Sequence, residues 1–145
     1  MSEPALVIDL DNDLSEVSRL AEAVEAFATA HGVPPGTIFA VNLALEELVT
    51  NTISYGYPDG GRHRIHLRFT LQGDTLRVAI QDDGLAFNPL NKAEPNLDAP
   101  IEDRPIGGLG IHLVRKLMDD VRYERRNEQN CLWLAKKMTE GESLL

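Results

Sequence analysis

Thr37-Ile38-Phe39-Ala40-Val41-Asn42-Leu43-Ala44-Leu45-Glu46-Glu47-Leu48-Val49-Thr50-Asn51 is an apolar, helix-forming run interrupted by two carboxylates. Ile38, Val41, Leu45, Leu48 and Thr52 recur at three- and four-residue spacing, which predicts a helix from about Thr37 to Tyr55 with these residues as its buried stripe. Glu46 and Glu47 are the only charges in that segment. A helix so apolar is packed on more than one side, and a carboxylate inside it needs a reason. Successive residues lie about 100° apart on the helical wheel, so Glu46 and Glu47 need not share a role. Residues at i and i+4 stack on one face, so Glu47 and Asn51 point the same way. A carboxylate can polarise a water or a hydroxyl, and a carboxamide oxygen can ligate a hard metal ion. The plain alternative for this pair is a solvated helix face.

Outward from this helix the chain divides cleanly. Ala5 to Leu10 is a short apolar run that reads as a strand. Asp11-Asn12-Asp13 supplies cap-forming side chains, and Leu14, Val17, Leu20, Ala21, Val24, Phe27 and Ala28 then mark an amphipathic helix ending at His31-Gly32. Pro34-Pro35-Gly36 turns into the central helix, and Tyr55-Gly56-Tyr57-Pro58 stops it. Residues 62–71 alternate strictly, with His63, Ile65, Leu67, Phe69 and Leu71 on one face. Gln72-Gly73-Asp74 turns the chain into a second strand carrying Leu76, Val78 and Ile80, so the two should pair as a hairpin. Residues 84–110 lack a helical period and read as a lid or a disordered loop. A helix follows through Ile111, Val114, Leu117 and Met118, and then a last hairpin, Val121 to Arg125 and Cys131 to Lys136. Clustered antiparallel strands with helices between them predict an α+β two-layer sandwich in one domain, residues 1–145, with helices on one face of a mixed, mostly antiparallel sheet.

Two glycine motifs frame the loop. Asp82-Asp83-Gly84 ends a strand, where a carboxylate can accept from an exocyclic amino group and a glycine admits a flat ring. It also reads as an ordinary Asp-Gly turn. Gly107-Gly108-Leu109-Gly110 opens a helix, where free backbone N–H groups and the helix dipole can hold phosphate oxygens. Its alternative is a flexible hinge. No G-x-x-x-x-G-K-[ST] run is present, and no βαβ unit precedes the glycines, which disfavours a P-loop or a dinucleotide fold.

The acidic balance, 23 carboxylates against 14 basic residues, disfavours nucleic acid as a partner. Cys131 is the only cysteine, so no intrachain disulfide forms. Met1-Ser2-Glu3-Pro4 has no signal-peptide character and no apolar run is long enough to cross a bilayer, so the expectation is a cytoplasmic protein without membrane contact. His63 and His66 show no ligand spacing for zinc, Arg62, Arg64 and Arg68 read as a solvated strand face, and Trp133 reads as core or as a dimer interface.

Taken together, Glu47-Leu48-Val49-Thr50-Asn51 followed by Tyr55-Gly56-Tyr57, the strand-end Asp82-Asp83-Gly84, and Gly108-Leu109-Gly110-Ile111 running to Met118-Asp119-Asp120-Val121 resemble the GHKL, or Bergerat-fold, ATP-binding superfamily shared by gyrase B, heat-shock protein 90, sensor histidine kinases and MutL. The resemblance spans roughly residues 37 to 138 and looks closest to the anti-sigma serine/threonine kinases. It implies ATP and Mg²⁺ as cofactors, a lid over about residues 85–110, Glu47 as general base and Asn51 as magnesium ligand. It implies that Asp82 reads the adenine amino group with Gly84 beside the ring, and that Gly107, Gly108, Leu109 and Gly110 hold the phosphates. The implied substrate is a serine on a STAS-domain anti-sigma antagonist, with a sigma factor as a second partner and a homodimer as the working form. The alternative is a nucleotide-binding module that sequesters a partner with little or no kinase activity. Two departures stand out: Ala86 replaces the second glycine of D-x-G-x-G, and the late strand reads Asn130-Cys131-Leu132 where the family often has a threonine. Cys131 would replace that hydroxyl only in part.

Overall fold

The computed structural model describes residues 3–91 and 108–138. Strand β1 (Ala5–Asp11) leads into helices α1 (Glu16–Ala30) and α2 (Pro35–Tyr55). Strands β2 (Arg64–Gln72) and β3 (Thr75–Asp82) follow, then a single 3-10 turn at Pro89–Asn91, helix α3 (Gly108–Leu117), and strands β4 (Asp120–Arg126) and β5 (Gln129–Lys137). The strands form one sheet in the order β1-β2-β3-β5-β4, with every pairing antiparallel rather than mixed. The fold is the expected α+β layer of helices on a sheet.

Period-two alternation puts Ile65, Leu67, Phe69 and Leu71 of β2, Leu76, Val78 and Ile80 of β3, and Leu132 and Leu134 of β5 on one buried face. The helices cover that face. Pro35 starts α2 with its φ already helical and no N–H to leave unpaired. Eight residues of α2 are buried, from Thr37 to Val49, so this helix lies between the sheet on one side and α1 and α3 on others. That accounts for its apolar wheel. It ends where the Gly56 N–H bonds the Thr52 carbonyl at 2.8 Å, and a Cβ on Gly56 would stand only 2.5 Å from that oxygen.

Among the described residues, no helix lies over the opposite sheet face. One row runs straight across all five strands: Val7, Arg68, Ala79, Trp133, Arg122. Trp133 is therefore half-exposed on the helix-free face and not in the core.

Three expectations need correction. Leu14 is exposed and not part of the α1 stripe, because α1 begins two residues later, at Glu16. Asn12 is not a helix cap. Its side chain accepts from the His63 N–H and donates to the Gly61 carbonyl, each at 3.0 Å. The Asn12 N–H also donates to the His63 carbonyl at 3.1 Å, but the regular ladder ends at the Asp11–Arg64 pair, so β2 starts at Arg64 and leaves Arg62 and His63 outside it. His63 does have acidic neighbours: Asp59 lies 2.9 Å from Nε2 and Asp83 3.1 Å from Nδ1, while the ring stacks on Tyr57 at 4.4 Å. Among the described residues no cluster of His, Cys, Asp or Glu could hold a metal ion by itself, and no helix is long and apolar enough to cross a membrane.

Candidate functional site

The face of α2 that meets α3, the ends of β3 and β5, and the segment after β3 enclose a cavity of about 270 Å³. Its walls are mostly apolar, with Leu48, Ile80, Ile111 and Leu132 among them, and Asn51, Asp82 and Asn130 bring polar groups to the same space. An apolar slot with a few converging polar groups suits a flat heterocycle.

Asp82 ends β3 with its side chain on the buried face, 7% exposed. Its Oδ1 accepts from the Gly84 N–H at 2.9 Å and from Asn130 Nδ2 at 3.0 Å. Among the described residues Oδ2 makes no hydrogen bond, so one acceptor remains for a ligand. Burial raises the Asp82 pKa above the usual carboxylate value, and the bonds from Asn130 and Gly84 oppose that rise. Gly84 is held to glycine by crowding: an added Cβ would lie 2.8 Å from the Gly56 carbonyl oxygen and 3.0 Å from Asp82 Oδ1. The Leu85 N–H donates to that same Gly56 carbonyl at 2.9 Å. Thus the end of α2 and the turn after β3 are stitched together beside the cavity. Arg125 Nη1 adds a bond to the Gly84 carbonyl at 2.9 Å.

Glu47 is half-buried and Glu46 exposed, so the two neighbouring carboxylates do have different surroundings. Glu46 lines a separate groove between α1 and α2. Glu47 lies one helical turn before Asn51 and packs against Gly110 in the first turn of α3. A Cβ on Gly110 would overlap the Glu47 carboxylate, 3.1 Å from Cδ and closer still to Oε2. Gly108 and Leu109 begin α3. Gly107 lies outside the described residues, as does most of the segment expected as a lid.

Asn130, not Cys131, brings the late strand's polar group to the cavity; it is a site residue not expected from the sequence, and Cys131 lies on the helix-free face. Asn130 is the residue opposite Asp82 in the ladder and is 7% exposed. The signal was available: Leu132 and Leu134 set the inward parity of β5, and Asn130 shares it. Ala86 lines the cavity, so its methyl is tolerated within the pocket wall.

The family model described as a histidine kinase-like ATPase domain matches residues 10–136. The chain is similar to the serine/threonine-protein kinase BtrW of Bordetella bronchiseptica, 30% identical over 97 residues that cover 67% of this chain and 68% of that protein. It is also similar to the anti-sigma F factor of Oceanobacillus iheyensis, 22% identical over 123 residues that cover 84% of each. Among solved structures it resembles the RsbU and RsbW domains of Rv1364c from Mycobacterium tuberculosis, with a TM-score of 0.67 at 16% identity. That match covers 98% of this chain and 34% of the other, so this chain spans about a third of its length and shares the fold of that part.

Proposed function

The chain belongs to the histidine kinase-like ATPase domain family, and on that premise we propose that it is an ATP-dependent protein serine/threonine kinase acting as an anti-sigma-type regulator. The observation that carries this reading is the single cavity shared by Asn51 and the unpaired oxygen of Asp82, with Glu47 one helical turn away against the start of α3. An ionised Asp82 Oδ2 accepts a hydrogen bond from the adenine amino group, and Gly84 leaves room beside the ring. The Asn51 carbonyl oxygen is a hard donor of the kind that would hold Mg²⁺. Bound Mg²⁺ supplies charge neutralisation at the phosphates during phosphoryl transfer. Gly108, Leu109 and Gly110 open α3, where backbone N–H groups would serve those oxygens, and the sequence adds Gly107 to the same glycine run. Glu47 orients the incoming serine hydroxyl and accepts its proton.

The similarity to proteins named as a serine/threonine kinase and as an anti-sigma factor supports the role in partner switching. In this reading the substrate is a serine on a STAS-domain antagonist, a sigma factor is the competing partner, the working form is a homodimer, and the compartment is the cytoplasm. Incubation with Mg-ATP and a STAS-domain protein should yield phosphoserine, and Glu47→Ala should lose it while still binding nucleotide. Phosphoserine formed equally by Glu47→Ala would remove Glu47 from the chemistry. Ala86 in the cavity wall motivates a second reading, a nucleotide-dependent sequestering module. It predicts nucleotide-dependent partner capture with no phosphoserine from the wild-type protein.

A further inference from the structure

Resting on the adenine-nucleotide reading above, we propose that Asn130 is the positioning residue of the base pocket, fixing Asp82 and the root of the following loop through one side chain. Asn130 spends every hydrogen-bonding position it has. Nδ2 donates to Asp82 Oδ1 at 3.0 Å and to the Leu85 carbonyl at 2.8 Å. Oδ1 accepts from Tyr123 Oη at 2.5 Å and from the Phe87 N–H at 3.2 Å. Two donors and two acceptors are the full inventory of a carboxamide. The orientation is dictated by chemistry: a flipped amide would set its oxygen against a carboxylate and a carbonyl, and its NH₂ against an N–H.

Two consequences follow. First, Asn130 has nothing left to offer a base, so its effect on recognition passes through Asp82, whose Oδ1 it occupies and whose Oδ2 it leaves for the ligand. Secondly, the carboxylate and the backbone at Leu85 and Phe87 cannot shift independently, because the same amide holds both. A threonine hydroxyl at this position could supply one donor to Asp82 but could not also span to Leu85 and Phe87. Among the described residues, the other charged groups near Asp82 are Asp83 and Arg125, with Tyr57 and Tyr123 as neighbouring phenols.

The test is calorimetry of Mg-ADP with the full chain and with Asn130→Asp and Asn130→Ala, across pH, with thermal melting as the check on folding. Asn130→Asp keeps the shape and the acceptor for Tyr123 and Phe87 but loses both donors. It should weaken Mg-ADP binding about tenfold or more at neutral pH. Binding should then partly recover on mild acidification, as a proton shared by the two carboxyls restores a donor to Asp82 Oδ1. Asn130→Ala should lose affinity with no such recovery, and a purely structural role would not reverse the pH slope between two folded variants. Wild-type binding that folded variants retain, with an unchanged pH profile, overturns the role of Asn130 alone. Failure of the wild-type protein to bind Mg-ADP overturns the nucleotide reading and this inference with it.

Discussion

Glu47 and Gly110 fill one space from two sides, so the side chain proposed as base depends on a glycine in another helix. Gly110→Ala should push Glu47 aside and lower phosphotransfer about a hundredfold, since displacements of this size cost that much when reacting groups must align. Glu47→Ala should cost roughly 10²–10⁴-fold with little change in nucleotide affinity. Measuring turnover and affinity separately distinguishes the two mutants from a general loss of folding. His63 offers a pH test away from the cavity. Its side chain is 20% exposed, and hydrogen bonds first to Asp59 and then to Asp83 raise its pKa above the ordinary histidine value. A raised folded-state pKa means that its contribution is complete below the unfolded value near ~6.5 and disappears as pH rises through the folded value. Stability should therefore decline over that window in the wild-type protein, and His63→Gln should flatten the decline. At this scale Glu47 and Asn51 stood out in the sequence because they interrupt an apolar helix, and Asp82 because it ends a strand in an Asp-x-Gly sequence. The Asp59–His63–Asp83 contact did not stand out, because Asp83 reaches His63 only once β3 folds back beside β2.

α2 is the element on which the site and the core both rest. It carries Asn51 on the cavity side while Val41, Ala44 and Leu45 are fully packed within the core. Leu45→Ala should destabilise the protein by about 2–5 kcal/mol, measured by urea unfolding, while Glu46→Ala on the exposed side should change little. The helices and strands were legible because their periods differ: 3.6 for α1 and α2, two for β2 and β3. Their ends were less so. α1 starts at Glu16 because the Ser15 N–H is taken by Asp13 Oδ1 at 2.9 Å and the Asp11 N–H by Glu16 Oε1 at 3.1 Å. Those bonds compete locally with capping by Asn12, which turns instead to the chain before β2. Such long-range side-chain bonds leave no periodic trace.

Across the whole molecule, the sheet order was the feature least open to sequence reading. The first hairpin could be inferred from its Gly73 turn and the last from its two short runs, but insertion of β5 between β3 and β4 depends on pairing across the chain. That insertion sets Asn130 opposite Asp82 and so completes the pocket. The helix-free face is also a property of the whole sheet. Its row from Val7 to Arg122 places Trp133 outside the core, on the face that β5 shares through Cys131 and Ala135. Helix α2, the tip of β3 and the start of α3 must come together for a nucleotide site to exist, and no one of them suffices. Calorimetric titration of the wild-type chain and Asp82→Ala with Mg-ADP tests that convergence most directly. Saturable heat at one site per chain, lost in the folded Asp82→Ala variant, is the expected result; no heat from the wild-type chain, or equal heat from both, would contradict it.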